Sequence, residues 1–143
     1  MIEGQYMDIS FEGSSRITVD QYMEMISRKT GALLRSSVHL GAVLGSGSDE
    51  VGNLFRRIGA ALGFMFQIRD DILDVEGATD IIGKPSGSDA GLGKATWPGL
   101  FGLGESKRRC DRLLAHAVES LSTFGNRAEP LRYLAKLIVS RDR

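Results

Sequence analysis

Apolar residues recur along this chain at intervals of three and four, the period of one helix face, and no run alternates as a half-buried strand would. Tyr22, Met25 and Ile26, continued by Leu33, Leu34 and Val38, mark the first clear stripe. Thr18 opens it, because Thr18 with Gln21 three residues on has the form of a capping box. Lys29-Thr30-Gly31 interrupts the stripe midway. Glycine there costs about 1 kcal/mol relative to alanine, so the interruption reads as a kink in one helix. Gly45-Ser46-Gly47-Ser48 is a turn, and Ser48 or Asp49 caps the next helix, expected over residues 51–75. Its apolar positions, among them Leu54, Phe55, Ile58, Leu62, Met65, Ile68 and Ile72, wrap more than one face. Such a helix belongs inside a bundle. Gly59 and Gly63, four residues apart, leave room for another helix to approach closely. Further helices are expected at 97–101 behind Trp97-Pro98, at 105–123, and from Pro130 onward. Residues 1–7 read as the last turn of a helix with no cap before it. The class is all-α, in one domain.

The end of the central helix changes character abruptly. Residues 64–94 begin apolar, turn acidic at Asp70, Asp71 and Asp74, and pass into a glycine-rich stretch carrying Lys84 and Lys94. Gln67, Asp70, Asp71 and Asp74 are three and four residues apart and so share one side of the helix. Like charges at that spacing repel by roughly 0.2–0.5 kcal/mol per exposed pair. The penalty grows on a helix that also buries Phe64, Phe66, Ile68 and Ile72. A hard divalent cation offsets it. Magnesium suits the pattern, since it accepts one or two carboxylates, keeps some waters and takes other ligands from a substrate phosphate. With two lysines on the far side of that phosphate, the stretch reads as half of a magnesium–diphosphate site. The loop 77–94 is also long for a plain connection, and loops of that length are usually functional or disordered.

Composition narrows the alternatives. The 143 residues carry 18 Lys and Arg against 18 Asp and Glu, so no basic field invites nucleic acid. Cys110 stands alone, which excludes an internal disulfide and fits a reducing compartment. The first residues lack the basic and apolar regions of a signal peptide, and no apolar run is long enough to span a bilayer, so a cytoplasmic location is expected. Residues 88–95 fail the phosphate-binding P-loop pattern, having Ser88 and Ala95 where glycine and a hydroxyl residue are needed. Ile72 occupies a ligand position of any calcium loop starting at Asp70. His39 and His116 lie far apart beside apolar residues, and no nucleophile is paired with either.

Five short motifs, each weak alone, stand in one order. They are G-Q-x-x-D (Gly4, Gln5, Asp8), K-T-G with Leu33 and Leu34 after it (Lys29, Thr30, Gly31), F-Q-x-x-D-D-x-x-D (Phe66 to Asp74), G-K (Gly83, Lys84) and G-K-A-T-W-P (Gly93 to Pro98). Together they resemble the trans-isoprenyl diphosphate synthases, all-helical enzymes that make geranyl, farnesyl and geranylgeranyl diphosphates. The resemblance implies that Asp70, Asp71 and Asp74 form the second aspartate-rich motif, which binds Mg2+ beside an allylic diphosphate. It implies that Asp89 supports a metal-bound water, that Lys29 and Lys84 grip the diphosphate, and that Lys94 is a further contact to it. Thr30 and Gln67 would turn oxygen dipoles toward the allylic cation, and Phe66 would face isopentenyl diphosphate.

The resemblance covers the whole chain but only the carboxyl-terminal half of the family. The family's first aspartate-rich motif, and the cationic residues that bind isopentenyl diphosphate, belong upstream of Gly4. A fragment is therefore expected, completed by a missing amino-terminal half, homodimeric in the complete enzyme and unable to condense prenyl units alone. The competing reading is a non-catalytic regulatory subunit docked onto a complete synthase. Such subunits often lose their acidic motifs, which this chain retains.

Overall fold

The computed structural model describes residues 1–14, 17–46, 48–77 and 95–142. It is all-α. Among the described residues seven α-helices follow in order: α1 (Ile2–Phe11), α2 (Val19–Ile26), α3 (Ala32–Ser46), α4 (Asp49–Glu76), α5 (Trp97–Phe101), α6 (Leu103–Ser120) and α7 (Glu129–Ser140). A π-helical turn, Ser27–Gly31, joins α2 to α3, and a 3-10 segment, Ser122–Ala128, joins α6 to α7. No strand occurs among the described residues, and no described helix is long and apolar enough to cross a membrane.

The local signals act where they are expected. Thr18 caps α2 reciprocally: its backbone N–H donates to Gln21 Oε1 at 2.9 Å, and the Gln21 N–H donates to Thr18 Oγ1 at 3.2 Å. The Ser48 hydroxyl accepts from Val51 N–H and starts α4. Proline stands in the first turn of α5 and of α7, where a missing N–H does no harm. Gly102, at φ +81°, turns the chain between α5 and α6 in a conformation that side chains resist.

Three boundaries differ from expectation. Residues 2–11 form a full helix rather than a final turn, because Gly4 and Asp8 pack it onto the π turn. The kink at Lys29-Thr30-Gly31 is that π turn, an extra residue per turn of the kind often found at functional sites. The helix expected over 105–123 runs from Leu103 to Ser120, and the 3-10 segment takes the residues after Leu121.

Helix α4 is the axis of the bundle. Its Ile68 and Ile72 join Tyr22, Met25, Ile26, Trp97 and Cys110 in one buried cluster. One to three turns earlier, Ile58, Leu62 and Met65 pack with Leu121, Ala128, Ala135 and Ile138 in a second. Apolar residues on two sides of α4 are thus both buried, as the width of its stripe requires. Two of the three glycines of α4 lie against backbone: a Cβ on Gly59 would sit 2.8 Å from Arg35 Cα, and one on Gly63 would sit 2.6 Å from Gly31 Cα. Opposite this core, Ile2, Tyr6 and Ile9 of α1 and Leu33, Leu40 and Leu44 of α3 are exposed.

Candidate diphosphate-binding cleft

The π turn is held from two sides. Gly4 of α1 lies so close that a Cβ there would overlap the Lys29 backbone, and Gly63 of α4 lies against Gly31. Between these contacts the turn projects Lys29 and Thr30 into a cleft of about 270 Å3. Lys29 Nζ donates to Asp8 Oδ2 at 2.7 Å, which places the ammonium on the cleft wall with its side chain 28% exposed. Thr30 Oγ1 donates to Gln67 Oε1 at 3.1 Å, and Gln67 Nε2 donates to Asp71 Oδ1 at 3.0 Å. The Gln67 amide is thereby oriented, with its oxygen toward the π turn.

The acids of α4 divide. Asp71 is buried, 3% exposed, and its Oδ2 accepts from the Tyr22 hydroxyl and from the Trp97 backbone N–H at 2.7 Å. Burial, and then the charge of Asp71, push the Tyr22 phenol well above its ordinary value, so it remains a donor at any physiological pH. Asp70 keeps 41% of its side chain exposed and lines the cleft, where its Oδ1 accepts from Arg141 Nη2 at 2.5 Å. Asp74 is half-buried one turn further on and is not among the cleft's lining residues.

Lys29, Thr30, Gln67, Asp70 and Asp71, five residues singled out by the sequence, therefore line one cleft together with Asp8, Tyr22, Met25 and Ala95. Phe66 does not line it: its ring packs into the second cluster with the Arg141 guanidinium 4.0 Å from its centroid. Lys84, Asp89 and Lys94 lie outside the described residues. Sequence reasoning gave three contributors no part in the site, although it quoted Asp8 in a motif. Asp8 pairs with Lys29 across 21 positions, Tyr22 reaches Asp71 across 49, and Arg141 reaches Asp70 across 71. Arg141 also donates to the Phe66 carbonyl at 2.9 Å, while Arg69 donates to the Arg141 carbonyl at 2.8 Å.

The polyprenyl synthetase family model matches residues 1–129 of this sequence. The chain belongs to the polyprenyl synthetase family. Its helical bundle is of the isoprenoid synthase type, present in part. Over 142 residues it is 37% identical to the geranylgeranyl diphosphate synthase of Cyanophora paradoxa, a match that takes in 99% of this chain and 47% of that protein. It superposes on the heptaprenyl diphosphate synthase of Staphylococcus aureus with a TM-score of 0.89 at 24% identity, covering 99% of this chain and 56% of that one, which is a likeness of fold. It is also similar to a geranyltransferase of Helicobacter pylori solved with magnesium and isoprenyl diphosphate, at a TM-score of 0.73 and 25% identity, over 97% of this chain and 45% of that one. The chain thus spans about half the length of the curated relatives it matches.

Family membership gives the motifs a common setting. Gly4, Gly31 and Gly63 are the backbone contacts between α1, the π turn and α4, and Asp8, Lys29, Thr30 and Gln67 are the polar contacts across the same junctions. The described residues contain no group of three or more His, Cys, Asp or Glu side chains that closes around a metal ion. An open magnesium half-site needs less, one or two carboxylates with waters and phosphate oxygens completing the shell. Asp70, 41% exposed, offers one such carboxylate to the cleft that Lys29 also lines.

Proposed function

We propose that this chain forms one side of a prenyltransferase active site, binding the diphosphate of an allylic substrate in the cleft between the π turn and the acidic end of α4. The convergence of Lys29, Thr30, Gln67 and Asp70 from separate segments onto one cleft carries the reading. In the complete enzyme the reaction is head-to-tail condensation with isopentenyl diphosphate. Magnesium, when bound, would supply Lewis-acid stabilisation of the departing diphosphate, and Asp70 at the cleft, with Asp74 one turn on, would hold it. Lys29, braced by Asp8, places a fixed positive charge beside the leaving group. Lys84 and Lys94, which lie outside the described residues, are read as further contacts to that diphosphate.

As the carbon–oxygen bond breaks, positive charge develops on the allylic carbon. The Thr30 and Gln67 oxygens are held in place by their mutual hydrogen bond and by Asp71, so they stabilise that charge without reorganising. Met25 and Ala95 supply apolar wall, which limits water that would quench the cation. No side-chain nucleophile takes part.

The exposed apolar faces of α1 and α3 call for another helical layer, and the unmatched half of the relatives is of the size to supply it. Condensation therefore requires that layer, and the chain by itself binds diphosphate without turning it over. Titration calorimetry with inorganic pyrophosphate tests the binding. Heat is expected only with Mg2+ present, and it should be lost in Lys29→Ala and Asp70→Asn. Binding that is indifferent to Mg2+, or absent from a folded wild-type chain, defeats the reading.

A further inference from the structure

The two adjacent aspartates of the acidic motif have opposite surroundings. Both line the cleft, but Asp70 keeps 41% of its side chain exposed there, whereas Asp71 is 3% exposed, buried under Tyr22 of α2 and Trp97 of α5. A carboxylate has about four lone-pair positions. At least three of those on Asp71 are taken by described donors: Tyr22 Oη, Trp97 N–H and Gln67 Nε2. A cation seated on Asp71 would have to displace hydrogen bonds that are buried, and a buried donor left without its acceptor costs about 1–3 kcal/mol.

We propose that Asp71 is a positioning residue that works with Tyr22 as a clasp, not a cation ligand. This rests on the diphosphate reading above only for what the clasp serves. The clasp joins three things. Through Tyr22 it ties the acidic end of α4 to α2, whose C-terminus leads into the π turn bearing Lys29 and Thr30. Through Gln67 it orients the amide that meets Thr30. Through the Trp97 N–H it anchors the first residue of α5. One carboxylate thus sets the register of three elements around the cleft. Its charge is a means of accepting several hydrogen bonds at once.

Trp97 is the chain's single tryptophan, 7% exposed, with its ring centroid 5.8 Å from that of Tyr22. Its fluorescence reports the clasp without any metal. Asn at position 71 keeps a carbonyl oxygen for Tyr22 and Trp97 while losing the charge; Ala keeps neither. The experiment compares Asp71→Asn, Asp71→Ala, Tyr22→Phe and Asp70→Asn for Trp97 emission, for quenching by acrylamide, and for Mn2+ binding with inorganic pyrophosphate by electron paramagnetic resonance. Circular dichroism checks the helical content of each variant.

The clasp is supported if Asp71→Asn keeps wild-type emission and holds Mn2+ within about tenfold of wild type, the lower edge of what outer-shell replacement costs. Asp71→Ala should shift emission to the red, Tyr22→Phe should raise quenching, and Asp70→Asn should lose Mn2+ with emission unchanged. The clasp is overturned if Asp71→Asn loses Mn2+ as completely as Asp70→Asn at unchanged emission. It is also overturned if neither Asp71→Ala nor Tyr22→Phe, both folded, alters Trp97. A wild-type chain that holds no Mn2+–pyrophosphate defeats the functional reading instead, and the tryptophan measurements still decide the clasp.

Discussion

Gly63→Ala sets two known effects against each other at the junction that shapes the cleft. Alanine in a helix interior is favoured over glycine by about 1 kcal/mol, so on propensity alone the variant should be more stable. The structure opposes this. The new Cβ would lie 2.6 Å from Gly31 Cα, with the Gly31 nitrogen at 3.4 Å. Carbon atoms pack at about 3.5–4.0 Å, so α4 and the π turn must part by about 1 Å. The neighbour is backbone and cannot rotate away, and Gly4 blocks retreat on the turn's other side. Parting by that distance stretches the 3.1 Å Thr30–Gln67 hydrogen bond toward 4 Å, beyond useful range.

Overpacking costs typically 1–3 kcal/mol, and backbone against backbone belongs at the upper end. The net effect is a loss of about 2 kcal/mol, or a melting point lower by roughly 4–8 °C for a chain of this size. Gly41→Ala is the control, because that glycine is exposed in α3 with nothing within 4 Å of a Cβ. It should gain up to about 1 kcal/mol. Urea unfolding and thermal melts of both variants, followed by circular dichroism, read the difference. A Gly63→Ala chain as stable as wild type, or a Gly41→Ala chain weakened as much as Gly63→Ala, refutes the reasoning.

Thr18→Ala removes one half of the capping box of α2 and should cost about 1 kcal/mol in urea unfolding, whereas Thr18→Gly should cost only a few tenths. Equal losses would show that the cap hydrogen bond is not what holds that end. Cys110 is buried, and burial pushes its thiol from 9.0 up to about 11. The folded chain holds this proton more tightly than the unfolded chain does. The group's contribution is therefore whole below pH 9 and is lost as pH rises through about 11. Iodoacetamide at pH 8 should leave the native thiol unmodified and label it rapidly in urea; rapid native labelling would contradict the burial.

The acidic motif shows how far spacing alone carries. Helical periodicity puts Gln67, Asp70, Asp71 and Asp74 on one broad side, and Gln67, Asp70 and Asp71 do line one cleft. Spacing does not distinguish neighbours separated by about 100° of helix rotation. That angle buries Asp71 under Tyr22 and Trp97 at the cleft wall while Asp70 stays exposed there. The glycines divide similarly. Gly59 and Gly63 are recognisable from their four-residue interval, but what each one touches is not.

Helix positions, the Thr18 and Ser48 caps, the prolines of α5 and α7, and the break at Lys29-Thr30-Gly31 all follow from residues within four or five positions of one another. Periodicity and backbone geometry act over that range, so the chain's order of residues is enough to place them. The pairs that build the cleft are Lys29 with Asp8, Thr30 with Gln67, Tyr22 with Asp71 and Arg141 with Asp70, and they are separated by 21 to 71 positions. Only packing decided those, because a hydrogen bond between distant residues exists once the apolar faces of α4 have drawn its neighbours in and set their rotation.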